Sequence, residues 1–301
     1  MLEWLNRVLN HDSATLNRGL THSADANLPH RSMTPSEIET FRRTIFDFYR
    51  RHARRLPWRE TDDPYRVYIS EIMLQQTQVD RVIPKYDAFL FAFPSVHTLA
   101  RARFTDVLSV WSGLGYNRRA LHLHKAAKQI VENHDGEIPS DPSVLRTLPG
   151  IGPYTAAAIA VFAYGKPFPL IETNVRRAYI HEFFVNCENV KDGDIMPLVE
   201  ETLDRDNPRE WFYALMDYGA MLKIEVGNAN RRSAHYTKQA PFEGSDRQIR
   251  GELLRELGRG KMNEHEIPFA IRRDAQRVTS VIADLCNEGF LVRDGDMIRI
   301  A

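Results

Sequence analysis

The sequence predicts a mainly α-helical protein that ends in a small module of helices and one β-hairpin. Three observations carry that expectation. From Thr34 to about Met221 almost every segment repeats its apolar residues at helical spacing. Pro and Gly punctuate those segments at their ends. No alternating strand pattern competes there, and the hairpin signal comes only after Gly289.

Taken in order, residues 1–32 show weak periodicity and several polar clusters, which fits an N-terminal arm, either a short amphipathic helix with a loose tail or a largely disordered segment. At Thr34-Pro35-Ser36-Glu37 an N-cap, a proline at the first helical position and a Glu three residues after the cap precede apolar Ile38, Phe41, Ile45 and Phe48, so a helix starts here. Helical spacing then marks 69–82, 104–108, 120–133, 142–148, 154–164, 175–183 and 210–222. The stretch IEVGNANRRSAHYTKQAP, from Ile224 to Pro241, loses periodicity and reads as a connector. A helix over 246–257 and a helical stretch over 272–287 follow. Phe290, Leu291 and Val292 then face Met297, Ile298 and Ile300 across Asp294-Gly295, a two-strand hairpin signal. Helices followed by a terminal hairpin suggest a winged-helix-like module. The expected divisions are an arm over 1–32, a helical core over 33–223, a connector over 224–244 and the module over 245–301.

With 301 residues, 43% hydrophobic and 27% charged, the chain can bury a substantial core. No apolar run approaches the roughly 20 residues that cross a bilayer. The first residues contain Glu3, His11, Asp12 and Asp25 and lack a signal peptide's apolar core, so a cytoplasmic location without membrane attachment is expected. The two cysteines, Cys187 and Cys286, lie far apart and form neither a disulfide framework nor a metal-ligand spacing. Forty basic and forty acidic side chains cancel, which leaves only local charge to interpret. Between Arg42 and Arg59 seven arginines (Arg42, Arg43, Arg50, Arg51, Arg54, Arg55 and Arg59) meet one acid, Asp47. That run is either a solvated helix face or a phosphate-facing patch.

The stretch LPGIGPYTAAAIAVFAYG, Leu148 to Gly165, places Gly150, Gly152 and Pro153 at the mouth of an apolar helix. Backbone N–H groups at a helix start have no intrahelical partners and carry the positive end of the dipole. Glycines there let a phosphate approach without a Cβ in the way. The alternative is a plain helix–helix turn. No strand precedes the glycines and no G-x-x-x-x-G-K follows, which argues against both common nucleotide-binding loops.

The stretch LPGIGPYTAAAIAVFAYGKPFPLIETNVRRA resembles the helix-hairpin-helix and catalytic loop of the DNA base-excision glycosylases. PWRETDDPYRVYISEIMLQQTQV and WSGLGYNRRALHLHKAA resemble the MutY-type adenine glycosylases in particular. The resemblance implies a six-helix barrel beside a second helical lobe, duplex DNA as partner, a monomer, and extrusion of the target nucleotide. It implies hydrolysis of the N-glycosidic bond of adenine opposite guanine or 8-oxoguanine. Excision of thymine or uracil from mismatches is the alternative, and a non-catalytic DNA-binding protein a further one.

Protonating the base and shielding the sugar's developing positive charge both suit carboxyl groups. On the helix expected from Ile69, Glu71, Gln75 and Gln78 share one face. By resemblance Glu71 protonates the purine at N7, which requires a dry pocket to raise its pKa. Glu172 stands where the family keeps an Asp that stabilises the oxocarbenium-like sugar; its side chain is one methylene longer, and the alternative is a helix N-terminal charge. Tyr154 occupies the place of the lysine nucleophile of lyase-active relatives. It cannot form a Schiff base, so release of the base without strand nicking is expected. Gln75, Gln76 and Tyr116 correspond to DNA wedges, Arg118 and Asn174 to phosphate ligands, and Gly150 and Gly152 to the phosphate grip.

Two departures stand out. After MDYGAM the family carries four cysteines for an iron-sulfur cluster, whereas this chain reads LKIEVGNANRRSAHY. No cluster is expected, and packing with the basic Arg231, Arg232, His235 and Lys238 is expected to replace it. Where the family carries a larger C-terminal domain that recognises 8-oxoguanine, about sixty residues with the winged-helix-like pattern stand here, and that domain is not expected. The module in its place would either enter a groove with Arg272, Arg273 and Arg277 near the start of its second long helix, or bind a protein.

Overall fold

The computed structural model describes residues 32–238 and 241–301. The arm expected over 1–32 lies, but for Ser32, outside the described residues. Among them no helix is long and apolar enough to cross a membrane. The chain divides into two compact units, one of Met1–Glu60 with Ala157–Lys238, the other of Thr61–Ala156 with Gln239–Ala301.

In the first unit α1 (Pro35–His52) opens on the expected capping box: the Thr34 hydroxyl accepts from the Glu37 amide and Glu37 accepts from the Thr34 amide at 2.8 Å. Its buried Phe41, Ile45 and Phe48 face α9 (Thr173–Phe183) and α11 (Pro208–Glu225), with α10 (Asp192–Thr202) beside α1 and α9. The core is aromatic, and Phe41 meets Tyr179, Phe183 and Trp211 edge-on with ring centroids at 5.4, 5.0 and 5.8 Å. The arginine run of this unit is largely committed internally. Arg42 donates to the carbonyls of Thr202 and Leu203, where α10 ends, and Arg50 pairs with Asp47. Arg54 and Arg59 share the fully buried Asp217 at 2.6 and 2.9 Å, and Arg59 lies 4.5 Å from the Tyr213 ring centroid.

The second unit begins with α2 (Pro64–Leu74), capped by Asp63, which accepts from the amides of Tyr65 and Arg66. It continues through α3 (Val79–Ala92), α4 (Val96–Arg101), α5 (Phe104–Trp111), α6 (Arg118–Asn133) and α7 (Pro142–Leu145) to the start of α8 (Pro153–Tyr164). The boundary between the units falls inside α8. After the connector come α12 (Asp246–Leu257), β1 (Met262–Asn263), α13 (Ile267–Ile271), α14 (Ala275–Asn287), β2 (Leu291–Asp294) and β3 (Met297–Ile300). The expected hairpin pairs Leu291 with Ile300 and Asp294 with Met297, and β1 adds a third antiparallel strand on the other side of β3.

The single helix expected over 69–82 is two helices. It breaks after Leu74, where Gln75 leaves helical geometry and Gln76 adopts a left-handed φ of 54°. Gln78 therefore opens α3 and does not share a helical face with Glu71. The stretch expected over 272–287 is helical only from Ala275, because Arg272 is left-handed at φ 54° and ends α13. The periodic segments omit α4, which has only 6 residues, and α10, which carries Pro197 in its interior.

Candidate active site

In the second unit α2 delivers Glu71 to a buried position, 7% exposed, with Tyr68, Ile69, Ser70, Ile72 and Met73 buried around it. The hydroxyl of Tyr154, in the first turn of α8, donates to Glu71 Oε2 at 3.4 Å. One residue further on, the Thr155 hydroxyl accepts from the Gln75 amide at 3.1 Å. Two side-chain contacts thus join the end of α2 to the start of α8. The arrangement sets a carboxyl out of bulk water with a phenol hydroxyl beside it. Gln76, on its left-handed corner, is exposed.

The loop before α6 takes three left-handed residues, Gly113 at φ 93°, Gly115 at 74° and Tyr116 at 49°. For a tyrosine that conformation carries strain, which the surroundings must offset. Arg119 supplies much of that support. Its buried guanidinium donates to the carbonyls of Ile72 and Met73 at 2.9 and 2.6 Å, to the Thr77 hydroxyl at 2.9 Å and to the Gly115 carbonyl at 3.1 Å. The Tyr116 ring centroid lies 5.6 Å from the same guanidinium. Burial pushes the Arg119 pKa down to about 10, with Arg81 adding to the shift and Tyr116 opposing it. Arg119 therefore ends α2 by capping its carbonyls and braces the loop that carries Tyr116, a role absent from the sequence reading. Arg118 points elsewhere: it pairs with Glu288 at 2.6 Å.

The glycine hairpin turns on Gly150, at φ 78°, where a Cβ would stand 2.7 Å from the His122 Cβ. Gly150 and Gly152 are exposed, whereas Ile151 between them is 6% exposed, and a Cβ on Gly152 would meet nothing within 4 Å. An apolar anchor holds the turn and leaves its backbone toward solvent, the geometry an anion grip requires.

In the first unit Glu172 is the N-cap of α9. Its Oε1 accepts from the amides of Asn174 and Val175 at 2.7 and 2.9 Å, and the Asn174 side chain donates to its Oε2 at 3.3 Å. Burial raises the Glu172 pKa against the pull of those two amides and of Arg177 and Arg176. Arg177 donates to the Asn174 side-chain carbonyl and to the Gly219 carbonyl, both at 2.7 Å, and to Asn228 at 3.2 Å. The Asn174 side chain is thus committed between Glu172 and Arg177. Gly219 admits this packing, since a Cβ there would stand 2.1 Å from the Asn174 carbonyl oxygen. The signal for it was an isolated glycine inside a helical pattern.

The connector does not fit an iron-sulfur cluster. Arg232 donates to the carbonyls of Ile180, Phe184 and Val185 at the end of α9, Asn230 donates to the Thr173 carbonyl, and Val190 and Ser233 form a bridge. Cys187 and Cys286 belong to different units, and among the described residues no group of His, Cys, Asp or Glu is arranged to hold a metal. Two thiolates fall short of the four such clusters take.

Residues 69–197 match the family model described as HhH-GPD superfamily base excision DNA repair protein. The adenine DNA glycosylase of Mycobacterium tuberculosis is 34% identical over 251 residues, 75% of this chain and 81% of that protein. The adenine DNA glycosylase of Mycolicibacterium smegmatis is 36% identical over 67% of this chain and 75% of its own length. The human adenine DNA glycosylase is 32% identical over 62% of this chain but 36% of its own length. Among solved structures, a thermostable thymine-DNA glycosylase aligns with a TM-score of 0.57 at 26% identity, over 66% of this chain and 96% of that one. An endonuclease III–DNA complex shares the fold, with a TM-score of 0.51 at 18% identity over 70% of this chain and 91% of that one.

Proposed function

The chain belongs to the HhH-GPD superfamily of base excision DNA repair proteins, within its MutY-type adenine glycosylases, and from that membership we propose that it excises adenine opposite guanine or 8-oxoguanine and leaves an abasic site. The observation that carries this reading is the buried Glu71 with the Tyr154 hydroxyl upon it. Glu71 donates its proton to N7 of the extruded adenine, so that the C1′–N9 bond breaks with the electron pair leaving on the base. Glu172, ionised, stabilises the positive charge that develops on the sugar, and water adds at C1′. Tyr154 offers a hydroxyl where a Schiff base needs an amine, which supports base release without strand cleavage.

The backbone of Gly150 and Gly152 grips a phosphate of duplex DNA, while Gln75, Gln76 and Tyr116 fill the space that the extruded base vacates. The domain divisions we adopt are a helical core over 33–223, a connector over 224–244 and a winged-helix-like module over 245–301. The protein works as a monomer in the cytoplasm, with the chromosome, and without an iron-sulfur cluster.

The test is a panel of duplexes with adenine opposite 8-oxoguanine or guanine, and with uracil, thymine or hypoxanthine in mismatches, incubated with protein and then alkali. Alkali-dependent breaks at adenine are expected. Breaks at pyrimidines alone move the assignment to thymine or uracil excision, the reading that the likeness to a thymine-DNA glycosylase favours. Breaks nowhere overturn the enzyme assignment, and breaks without alkali at the rate of base release overturn base release without strand cleavage.

A further inference from the structure

The proposed chemistry leaves the C-terminal module without work, and the module's own geometry assigns it some. Its second long helix is poorly equipped to read a groove. The exposed face of α14 carries Gln276, Thr279, Ser280, Ala283 and Asp284. Of the three arginines near its start two are engaged, Arg273 by Glu252 at 2.7 Å and Arg277 by Asp246 at 2.5 Å and by the Gly244 carbonyl, whereas Arg272 is the exposed C-cap of α13. A guanidinium engaged by a carboxylate must exchange that partner for a phosphate, and phosphate contacts position a helix without reading sequence.

The turn after α14 instead grips α6. The Glu288 carboxylate accepts from Arg118 at 2.6 and 3.2 Å and from Arg250 of α12 at 2.6 and 3.0 Å. Gly289 follows at φ 82°, beside Lys125 of α6. Phe290 is fully buried, its ring centroid 5.9 Å from that of Phe104 and 5.8 Å from the Arg250 guanidinium. Glu288 and Phe290 thus fasten the module to α6 and α5 within one compact unit.

Arg118 is the first residue of α6 and stands two positions after Tyr116. The loop before it is strained, and Arg119 braces it from within the unit. We propose that Glu288 is a positioning residue for the DNA wedge: by holding Arg118 from outside, it keeps the Gly113–Asn117 loop in the form that presents Tyr116. The module then serves the mismatch through this loop rather than through a groove-reading helix. The inference rests on the wedge role given to Tyr116 above. A loop ordered in advance loses less entropy when it enters the base stack, so the effect falls on binding and extrusion, before bond cleavage. One carboxylate between two guanidiniums also leaves the cluster net positive, which does not repel the DNA backbone.

The experiment uses the full chain and a duplex with adenine opposite 8-oxoguanine and 2-aminopurine next to the adenine, whose fluorescence rises on unstacking. Glu288→Gln is expected to raise KM roughly tenfold and to reduce the fluorescence rise, with kcat held within about twofold. In a Tyr116→Ala background the same substitution is expected to add nothing, because both changes disable one device. Arg250→Gln breaks only the half of the cluster internal to the module, and is expected to behave as wild type. Multiplying effects of Glu288→Gln and Tyr116→Ala overturn the proposal. So does a wild-type response of Glu288→Gln, or an Arg250→Gln defect equal to it, which would mark a loss of module stability. A wild-type protein that neither releases base nor raises fluorescence overturns the underlying reading as well, whereas normal base release with no Glu288 effect overturns this proposal alone.

Discussion

Glu71 and Glu172 are both carboxyls, and the proposed chemistry asks opposite protonation states of them, the acid of Glu71 and the anion of Glu172. Glu71 is buried against an apolar helix face with a phenol hydroxyl 3.4 Å away. Glu71→Gln keeps the shape and removes the proton donor, so base release under single-turnover conditions is expected to fall by at least about 100-fold while duplex affinity changes little. A variant that cuts at the wild-type rate would remove Glu71 from the mechanism. Glu172 must be ionised to stabilise a cation, yet burial raises its pKa. The acid limb of the pH–rate profile is therefore expected above the ordinary glutamate range, with activity rising as that limb is crossed upward. The folded state binds this proton more tightly than the unfolded state, so the group's contribution to stability falls as pH rises from the ordinary glutamate pKa through the raised one. Glu172→Gln should remove that loss and abolish catalysis together, which denaturant titrations at two pH values and rate measurements can check. These residues were legible through their motifs. Arg119 and Arg177 were not, because each acts on backbone carbonyls of elements distant in sequence, Ile72 and Met73 for one and Gly219 for the other.

Helices were legible where their own residues determine their ends. The Thr34 box and the Pro142 start are local chemistry and were read as such, whereas the Asp63 cap, equally local, was not, and the helix expected from Ile69 starts at Pro64. The break between α2 and α3 was not legible, since its stretch, LQQTQ, holds neither Gly nor Pro and the capping donor arrives from Arg119. Gly219 carries the same lesson for packing. It lies in α11, and its missing side chain lets that helix meet the start of α9, where Glu172 and Asn174 stand. Gly219→Ala would place a methyl on the Asn174 carbonyl oxygen, a contact that requires the backbone of α9 to move. A stability loss of about 2–3 kcal/mol is expected, together with a loss of activity that exceeds the fraction unfolded. Retention of full activity in the folded fraction would show that the Glu172 cap tolerates displacement.

For the whole molecule, formal charge is zero and much of the arginine-rich segment is committed to internal partners. Net charge therefore supplies no long-range attraction to DNA. Binding is expected to rest on a few local contacts, so that log K falls with log salt with a slope of about 2–3 rather than the steeper value of a protein that neutralises many phosphates. The connector follows a similar economy. In the connector Arg232 gathers the terminal carbonyls of α9, and Asn230 holds the Thr173 carbonyl at its start. Terminal helix carbonyls need a partner when covered by protein, and a guanidinium meets that need without a metal. Two consequences can be measured on the purified protein. It should lack the thiolate–iron absorbance at about 400 nm and melt at the same temperature with or without chelator. Arg232→Ala should cost about 2–3 kcal/mol, because several carbonyls lose one charged donor at once. A brown protein, or one whose melting temperature falls on chelation, would show that metal rather than Arg232 secures this end of α9.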